Sequence, residues 1–318
     1  MGSLPPRPFR LRWTDTLPAG DESRLLGCVI HGAAVPGRLP HGIHVDTPLL
    51  AGHGVECWDS PVPVSRGGAG DIAYAENGDA LFGQLRVDAA ALSVDTAAAT
   101  EQAFRRISEF LDALGYRCWR MWNYIPDIHR GDGDQERYRQ FVLGRYRALA
   151  TREGFEQSLP AATAIGTQGD DLLIYWLAGR HTGTAIENPR QTSAWRYPRQ
   201  YGPRSPSFAR ALRLDWRDGA DLLVSGTASI VGHETLHHGD PAGQLREILA
   251  NLDALRAAAG RDWRAHSLKL FLRDPQLLTT LRTEIDALAQ LATLSVLHGD
   301  ICRSDLHLEI EPLYDASA

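Results

Sequence analysis

Near the end of the chain, Cys302-Arg303-Ser304-Asp305-Leu306-His307-Leu308-Glu309-Ile310-Glu311 sets two carboxylates two residues apart in a short alternating run. In a strand of period two, Glu309 and Glu311 share a face with His307, while Leu306, Leu308 and Ile310 fill the other. Such a face, seven residues after a cysteine, can move a proton. It can also be a solvated edge strand that uses charge to discourage pairing, and this segment alone leaves both readings open.

Other chemistry-bearing stretches are weaker. His233-Glu234-Thr235-Leu236-His237 matches HExxH, which needs a helix to bring both imidazoles to one zinc ion. Gly232 before it and Gly239-Asp240-Pro241 after it leave less than two turns, so the zinc reading fails and no metal site is expected. Gly67-Gly68-Ala69-Gly70 has no phosphate-loop pattern and reads as a turn. Lys269 is the only lysine and the only Schiff-base candidate. Arginine therefore supplies nearly all the cationic chemistry, and its guanidinium forks suit carboxylates and phosphates.

The elements that must position these groups repeat. Phe104, Ile107, Leu111 and Leu114 in a helix near 96–114 recur 141 positions on as Leu245, Ile248, Leu252 and Leu255 near 241–256. Asp95 or Thr96 can cap the first helix, and Asp240 with Pro241 starts the second. Strands ending in glycine turns precede them, Leu81-Phe82-Gly83 and Val224-Ser225-Gly226. Trp119–Trp122 and Leu268–Phe271 follow, and each half closes with two more strands, 161–166 and 172–177, then 291–297 and 306–310. On this alignment Asp171 matches Asp305 and Tyr175 matches Glu309, so one copy keeps the acid and the other supplies a wall. Between the copies, 180–210 is rich in Arg, Tyr and Pro. It reads as a stiff loop presenting donors to an anion, with a solvated interdomain strap as the alternative.

Length and balance set the frame. The 318 residues are 43% hydrophobic and 23% charged, with a net charge of −6, ordinary for a globular chain and no footprint for nucleic acid. Cys28, Cys57, Cys118 and Cys302 form no CxxC pair. No apolar run reaches membrane-spanning length and no signal-peptide core follows the start, so a cytoplasmic protein away from membranes is expected. Residues 1–70 carry only short, broken apolar segments and could complete the first module.

Asn188-Pro189-Arg190-Gln191, Arg196-Tyr197-Pro198-Arg199-Gln200-Tyr201-Gly202-Pro203, Ser225-Gly226-Thr227-Ala228 and Cys302–Glu311 together resemble the chorismatases, over about residues 75–312. The second half alone resembles the YjgF (reactive intermediate deaminase) fold. The resemblance implies an α/β (α+β) chain of two tandem YjgF-like modules, each a mixed sheet with helices on one face. The expected division is 1–179, an insertion at 180–210, and 211–318. It implies that Glu309 protonates the enol-ether methylene of chorismate, and that Arg145 and Arg190 hold the substrate carboxylates. Tyr138 and Tyr201 would donate hydroxyl hydrogen bonds, with Tyr124, Tyr197 and Arg210 as further candidates. An ordinary Glu, with a pKa of about 4.3, is protonated roughly once in 500 at pH 7, so burial or the charge of Glu311 must raise it.

Gln191 and Cys302 resemble the 3-hydroxybenzoate-forming branch, in which the neighbouring ring hydroxyl attacks and pyruvate leaves. Gly226 and Ala228 are expected among the substrate-binding residues, and Ala228 departs from the small-glycine version of that branch and resembles members that give the diol or mixed 3- and 4-hydroxybenzoates. The expectation is 3-hydroxybenzoate, with the 4-isomer as a second product and hydrolysis to the dihydroxycyclohexadiene acid as the alternative. An enamine or imine deaminase is a second class, but its arginine on the penultimate strand is missing from 291–295. A non-catalytic oligomer-forming module is a third. No cofactor is expected, and the assembly is a homo-oligomer such as a trimer, or a monomer.

Overall fold

The apolar stripes become helices with defined ends. Thr96–Leu114 buries Phe104, Ile107 and Leu111, begins at Asp95, whose carboxylate accepts from the Ala98 N–H, and ends at Gly115 in the left-handed region. Pro241–Ala259 does the same between Asp240, which accepts from the Gly243 N–H, and left-handed Gly260. Both ends satisfy backbone groups that a helix leaves unpaired.

The computed structural model describes residues 4–18, 22–32, 39 and 41–318. Its two larger sheets share one strand order. The first runs Ala161–Thr167, Arg117–Pro126, Leu172–Gly179, Ala80–Val87, Ile72–Glu76, Ser65–Ala69; the second runs Thr293–His298, Arg264–Leu272, Leu308–Ser317, Gly219–Val224, Ala211–Trp216, Thr184–Ile186. In each, the first two strands are parallel and the third is antiparallel to the second. A parallel pair needs a crossover, supplied by Arg137–Leu149 in one half and Leu277–Thr280 with Arg282–Leu291 in the other. Tyr175 lies opposite Trp122 and Glu309 opposite Phe271, which places the tyrosine and the acid at equivalent positions.

Each sheet buries one face against its own helices. Leu81, Ile174 and Trp176 meet Phe104 and Ile107 in the first half; Leu308, Ile310 and Leu270 meet Leu245 and Ile248 in the second. The opposite faces share a third core, with Trp122 and Tyr175 from one sheet and Phe271 and Leu313 from the other.

Four expectations change. Gly67, Gly68 and Ala69, read as a turn, lie in the strand Ser65–Ala69, and only Gly70 turns. Gly83 does not end its strand but sits within Ala80–Val87, because a Cβ there would lie 2.5 Å from the Trp176 indole. Leu306 and His307 precede the final strand, which starts at Leu308; Leu306 joins the intersheet core, and His307 donates its backbone N–H to Gln244. The early segment is more than a completion of the first module. Of residues 1–70, 1–3, 19–21, 33–38 and 40 lie outside the described residues. Arg10–Thr14, Val55–Asp59, Leu25–His31 and Ile43–Val45 form a separate four-stranded sheet, and Leu49–Gly52 extends the second module's sheet. Phe9, Val29 and Trp58 carry that extra sheet into the shared core. The His233–His237 stretch spans a hairpin of Ile230–Val231 and Glu234–Thr235, with no helix to align two imidazoles.

Candidate active site

The alternation of the final strand sends Leu308 and Ile310 to the helix side, so Glu309 and Glu311 face the intersheet layer and are buried. Backbone bonds between Thr227 and Ile310 run both ways and bring Gly226 against the acid. A Cβ at Gly226 would lie 1.8 Å from Glu309 Oε1, so only glycine admits the carboxyl here.

The two acids have opposite surroundings. Glu311 accepts from Trp122 Nε1 at 2.6 Å and Thr163 Oγ1 at 2.8 Å, and pairs with Lys269 Nζ at 2.8 Å and Arg120 Nη2 at 3.1 Å. Burial opposes its charge, but Lys269 and Arg120 prevail and hold its pKa below the usual carboxylate range. Lys269 also bonds Glu56 Oε2 at 3.1 Å; it is buried between two carboxylates that keep it protonated, which removes the Schiff-base reading. Glu309 is pushed up to about 8 by burial and by Glu311, against the weaker pull of Arg120 and Arg210. At pH 7 the protonated form therefore prevails.

Glu309 opens into a cavity of about 440 Å³, a volume suited to one small ligand. The helix Arg137–Leu149 presents Tyr138, Phe141, Val142 and Arg145 to it at helical spacing. Tyr201, Gly226, Ala228 and Cys302 complete the expected residues found in the wall. Burial first, then Glu309, raises the Cys302 thiol to about 12, so it is a neutral donor at pH 7. Burial likewise raises Tyr138 well above the ordinary phenol range.

Three guanidinium groups in the wall, Arg145, Arg210 and Arg303, have no carboxylate partner among the described residues. Arg145 is buried and its Nε and Nη2 lack hydrogen-bond partners; burial lowers its pKa to about 10, still charged at neutral pH. Arg210 Nη2 donates to Thr192 O and Tyr197 Oη. Arg303 lies 3.8 Å from the Tyr201 ring centroid and donates to His233 O and Thr235 Oγ1. Burying uncompensated cations is costly, and a multiply anionic ligand offsets that cost.

A family model described as the N-terminal part of the FkbO/Hyg5-like chorismatases matches residues 56–178. A chorismatase of Streptomyces rapamycinicus is 37% identical over 315 residues, covering 92% of each chain. This chain belongs to the chorismatase family. A 3-hydroxybenzoate synthase of Streptomyces hygroscopicus is 38% identical over 278 residues, 80% of each chain. A crystal structure of a chorismatase superposes with a TM-score of 0.83 at 31% identity, over 98% of this chain and 99% of that one. The tandem YjgF-like fold is thus that of a chorismatase.

Within this chorismatase fold, two expected substrate-binding residues stand outside the cavity wall. Arg190 is engaged by Glu247 at 2.6 Å and Asn251 Oδ1 at 2.9 Å on the helix Pro241–Ala259, so its guanidinium is spent on anchoring the insertion. Gln191 is buried and donates to Ile230 O. Tyr124 lies in the intersheet core against Tyr175. Of the further candidates, Tyr197 and Arg210 do line the cavity. Sequence reasoning missed Arg120, Thr163 and Arg303. Arg120 has a signal in hindsight: like Lys269, it is a lone cation within an apolar strand, Cys118-Trp119-Arg120-Met121-Trp122. No cluster of three or more His, Cys, Asp or Glu that could hold a metal occurs among the described residues, and no helix there is long and apolar enough to cross a membrane.

Proposed function

We propose that this chain cleaves the enolpyruvyl ether of chorismate, giving pyruvate and 3-hydroxybenzoate with the 4-isomer as a minor product. The observation that carries the reading is a carboxylic acid kept neutral by burial and by a fixed neighbouring carboxylate, in one cavity with three guanidinium groups that have no carboxylate partner among the described residues. A dicarboxylate with an acid-labile vinyl ether fits that combination.

Glu309 delivers its proton to the methylene carbon, and positive charge develops at the ether carbon. The neighbouring ring hydroxyl attacks the ring carbon that bears the ether. The ring carbon–oxygen bond breaks, and its electron pair leaves with the ether oxygen to become the carbonyl of pyruvate. The hydroxyl proton returns to the Glu309 carboxylate, and the resulting arene oxide opens to the aromatic hydroxy acid. Arg145, Arg210 and Arg303 hold the two carboxylates, Tyr138 and Tyr201 orient the ring, and Cys302, as a neutral thiol, shapes the side where the ring hydroxyl lies. Gly226 and Ala228 set the room for that collapse, while Arg190 and Gln191 act by holding the insertion in place. The protein acts in the cytoplasm as a monomer or homo-oligomer, and its functional parts divide at 1–179, 180–210 and 211–318 although Leu49–Gly52 and Thr184–Ile186 pair into the second module's sheet.

Purified protein incubated with chorismate is expected to release pyruvate in an amount equal to the sum of 3- and 4-hydroxybenzoate, read by coupled pyruvate assay and chromatography. Glu309→Gln, which keeps the shape and removes the acid, is expected to lose at least about 100-fold in kcat, the usual scale of general acid catalysis. A non-aromatic diol in place of hydroxybenzoate would move the reaction to the hydrolytic branch. Pyruvate release undiminished in Glu309→Gln would remove Glu309 as the acid.

A further inference from the structure

The extra four-stranded sheet, which belongs to neither repeat, inserts one charged side chain into the layer between the modules. Glu56, on Val55–Asp59, is buried. Its Oε1 accepts from Trp58 Nε1 at 2.8 Å, and its Oε2 from Lys269 Nζ at 3.1 Å. Lys269 passes the contact on to Glu311 at 2.8 Å, and Glu311 to Arg120 at 3.1 Å. The chain of charges is thus minus, plus, minus, plus across three sheets, all four groups being buried. We infer that Glu56 is a positioning residue for catalysis: by balancing Lys269, it fixes the charge felt by Glu309 and so the upper end of the pH range in which the acid carries its proton. The inference rests on Glu309 being the acid proposed above.

Without Glu56 the buried set would hold Lys269 and Arg120 against Glu311 alone. Net positive charge beside the cavity favours ionised Glu309 and lowers its pKa. His31 lies 3.7 Å from Glu56; burial lowers its pKa, leaving it neutral, and its Nδ1 bonds Thr47. Tyr124 and Tyr175 face Glu311 and Glu56 from the first sheet, and burial keeps both phenols protonated. Trp122 and Thr163 contribute only hydrogen bonds to Glu311. On the cavity side Glu309 faces Arg210, Cys302 and Tyr138, whose thiol and phenol stay neutral. Arg145, which also acts on Arg120, lines the cavity with Arg139, Arg303, Glu136 and Asp305. None of these offsets the loss of one fixed anion. Glu56 is itself absent from the cavity wall, so removing its charge alters the acid without touching a substrate contact.

The test is the pH profile of kcat for chorismate cleavage in wild type, Glu56→Gln, Glu56→Asp and Glu309→Gln. The alkaline limb of Glu56→Gln is expected to move down by on the order of one pH unit, with KM at pH 6 within about twofold of wild type. Glu56→Asp, which retains the charge, is expected to keep the limb near its wild-type position. A merely structural Glu56 would lower the whole profile and leave the limb in place, and that outcome overturns the inference. An active Glu309→Gln overturns the underlying acid assignment instead, so the two failures are distinct. Infrared titration of the unmutated protein with carboxyl-labelled glutamate covers a Glu56→Gln that does not fold. One protonated-carboxyl band persisting to about pH 8 and missing in Glu309→Gln is expected. A second such band above pH 5 would mean that Glu56 or Glu311 holds a proton, and would overturn the inference.

Discussion

Glu309 is useful because it is held where its charged form is unwelcome, and that has a measurable cost in stability. Its folded pKa of about 8 lies above the ordinary carboxylate value. Between those two values the folded state binds a proton that the unfolded state releases, so stability falls as pH rises through the window. Below it both states are protonated and the penalty vanishes. Glu309→Gln is therefore expected to be more stable than wild type at pH 8–9, by on the order of 3–5 kcal/mol at most, and about equal at pH 4. Thermal melting of both proteins across that range checks it; parallel curves would mean that Glu309 is not raised. The sequence made the pair Glu309 and Glu311 visible through their spacing, and the family resemblance pointed to Glu309 as the acid, but the groups that keep Glu311 charged were not visible. Those groups, Arg120, Lys269, Trp122 and Thr163, come from three different strands. Only folding brings them together.

At the scale of elements, helix ends and the succession of strands and helices along the chain were legible because caps and apolar periods are local. Asp95, Asp240 and the stripe beginning at Phe104 needed no tertiary knowledge. The insertion was legible only as a stiff Arg/Tyr segment, since proline limits its backbone but does not say which arginine faces inward. Arg190 turns to Glu247 and Asn251, whereas Arg210, at its end, faces the cavity. Arg190→Met thus removes an anchor between the insertion and the helix Pro241–Ala259. It is expected to lower stability by about 1–3 kcal/mol, the scale of a charge-assisted hydrogen bond, with KM for chorismate changed less than about threefold. Arg145→Met removes a buried unpaired cation in the wall and is expected to raise KM more than about tenfold. Steady-state kinetics with a urea melt separates the two. An equal KM effect from both would return Arg190 to the substrate.

The whole molecule is held together by the same layer that performs the chemistry. The repeat is symmetric in an informative way: Arg120 and Lys269 occupy equivalent places on the second strand of each sheet, opposite Leu177 and Glu311 respectively. Both cations reach one acid, Glu311, because only the second module kept a carboxylate there. The extra sheet adds Glu56, and without it one of the two cations would lack a counter-charge. This layer joins parts of the chain far apart in sequence, with Trp58, Trp122 and Phe271 packed in one core, so the modules should not unfold separately. Lys269→Met tests that. It leaves Glu56 and Glu311 buried with Arg120, which pairs only with Glu311, as the one cation remaining in the set, and breaking such a buried pair costs about 3–5 kcal/mol. Because the lost contacts span the extra sheet and the second module, the cost is expected to lower the urea midpoint of one cooperative transition, followed together by tryptophan fluorescence and far-UV circular dichroism. Two separated transitions, with only the second module's helices melting early, would mean that the sheets are joined by apolar packing alone and that the ionic layer serves catalysis without holding the fold.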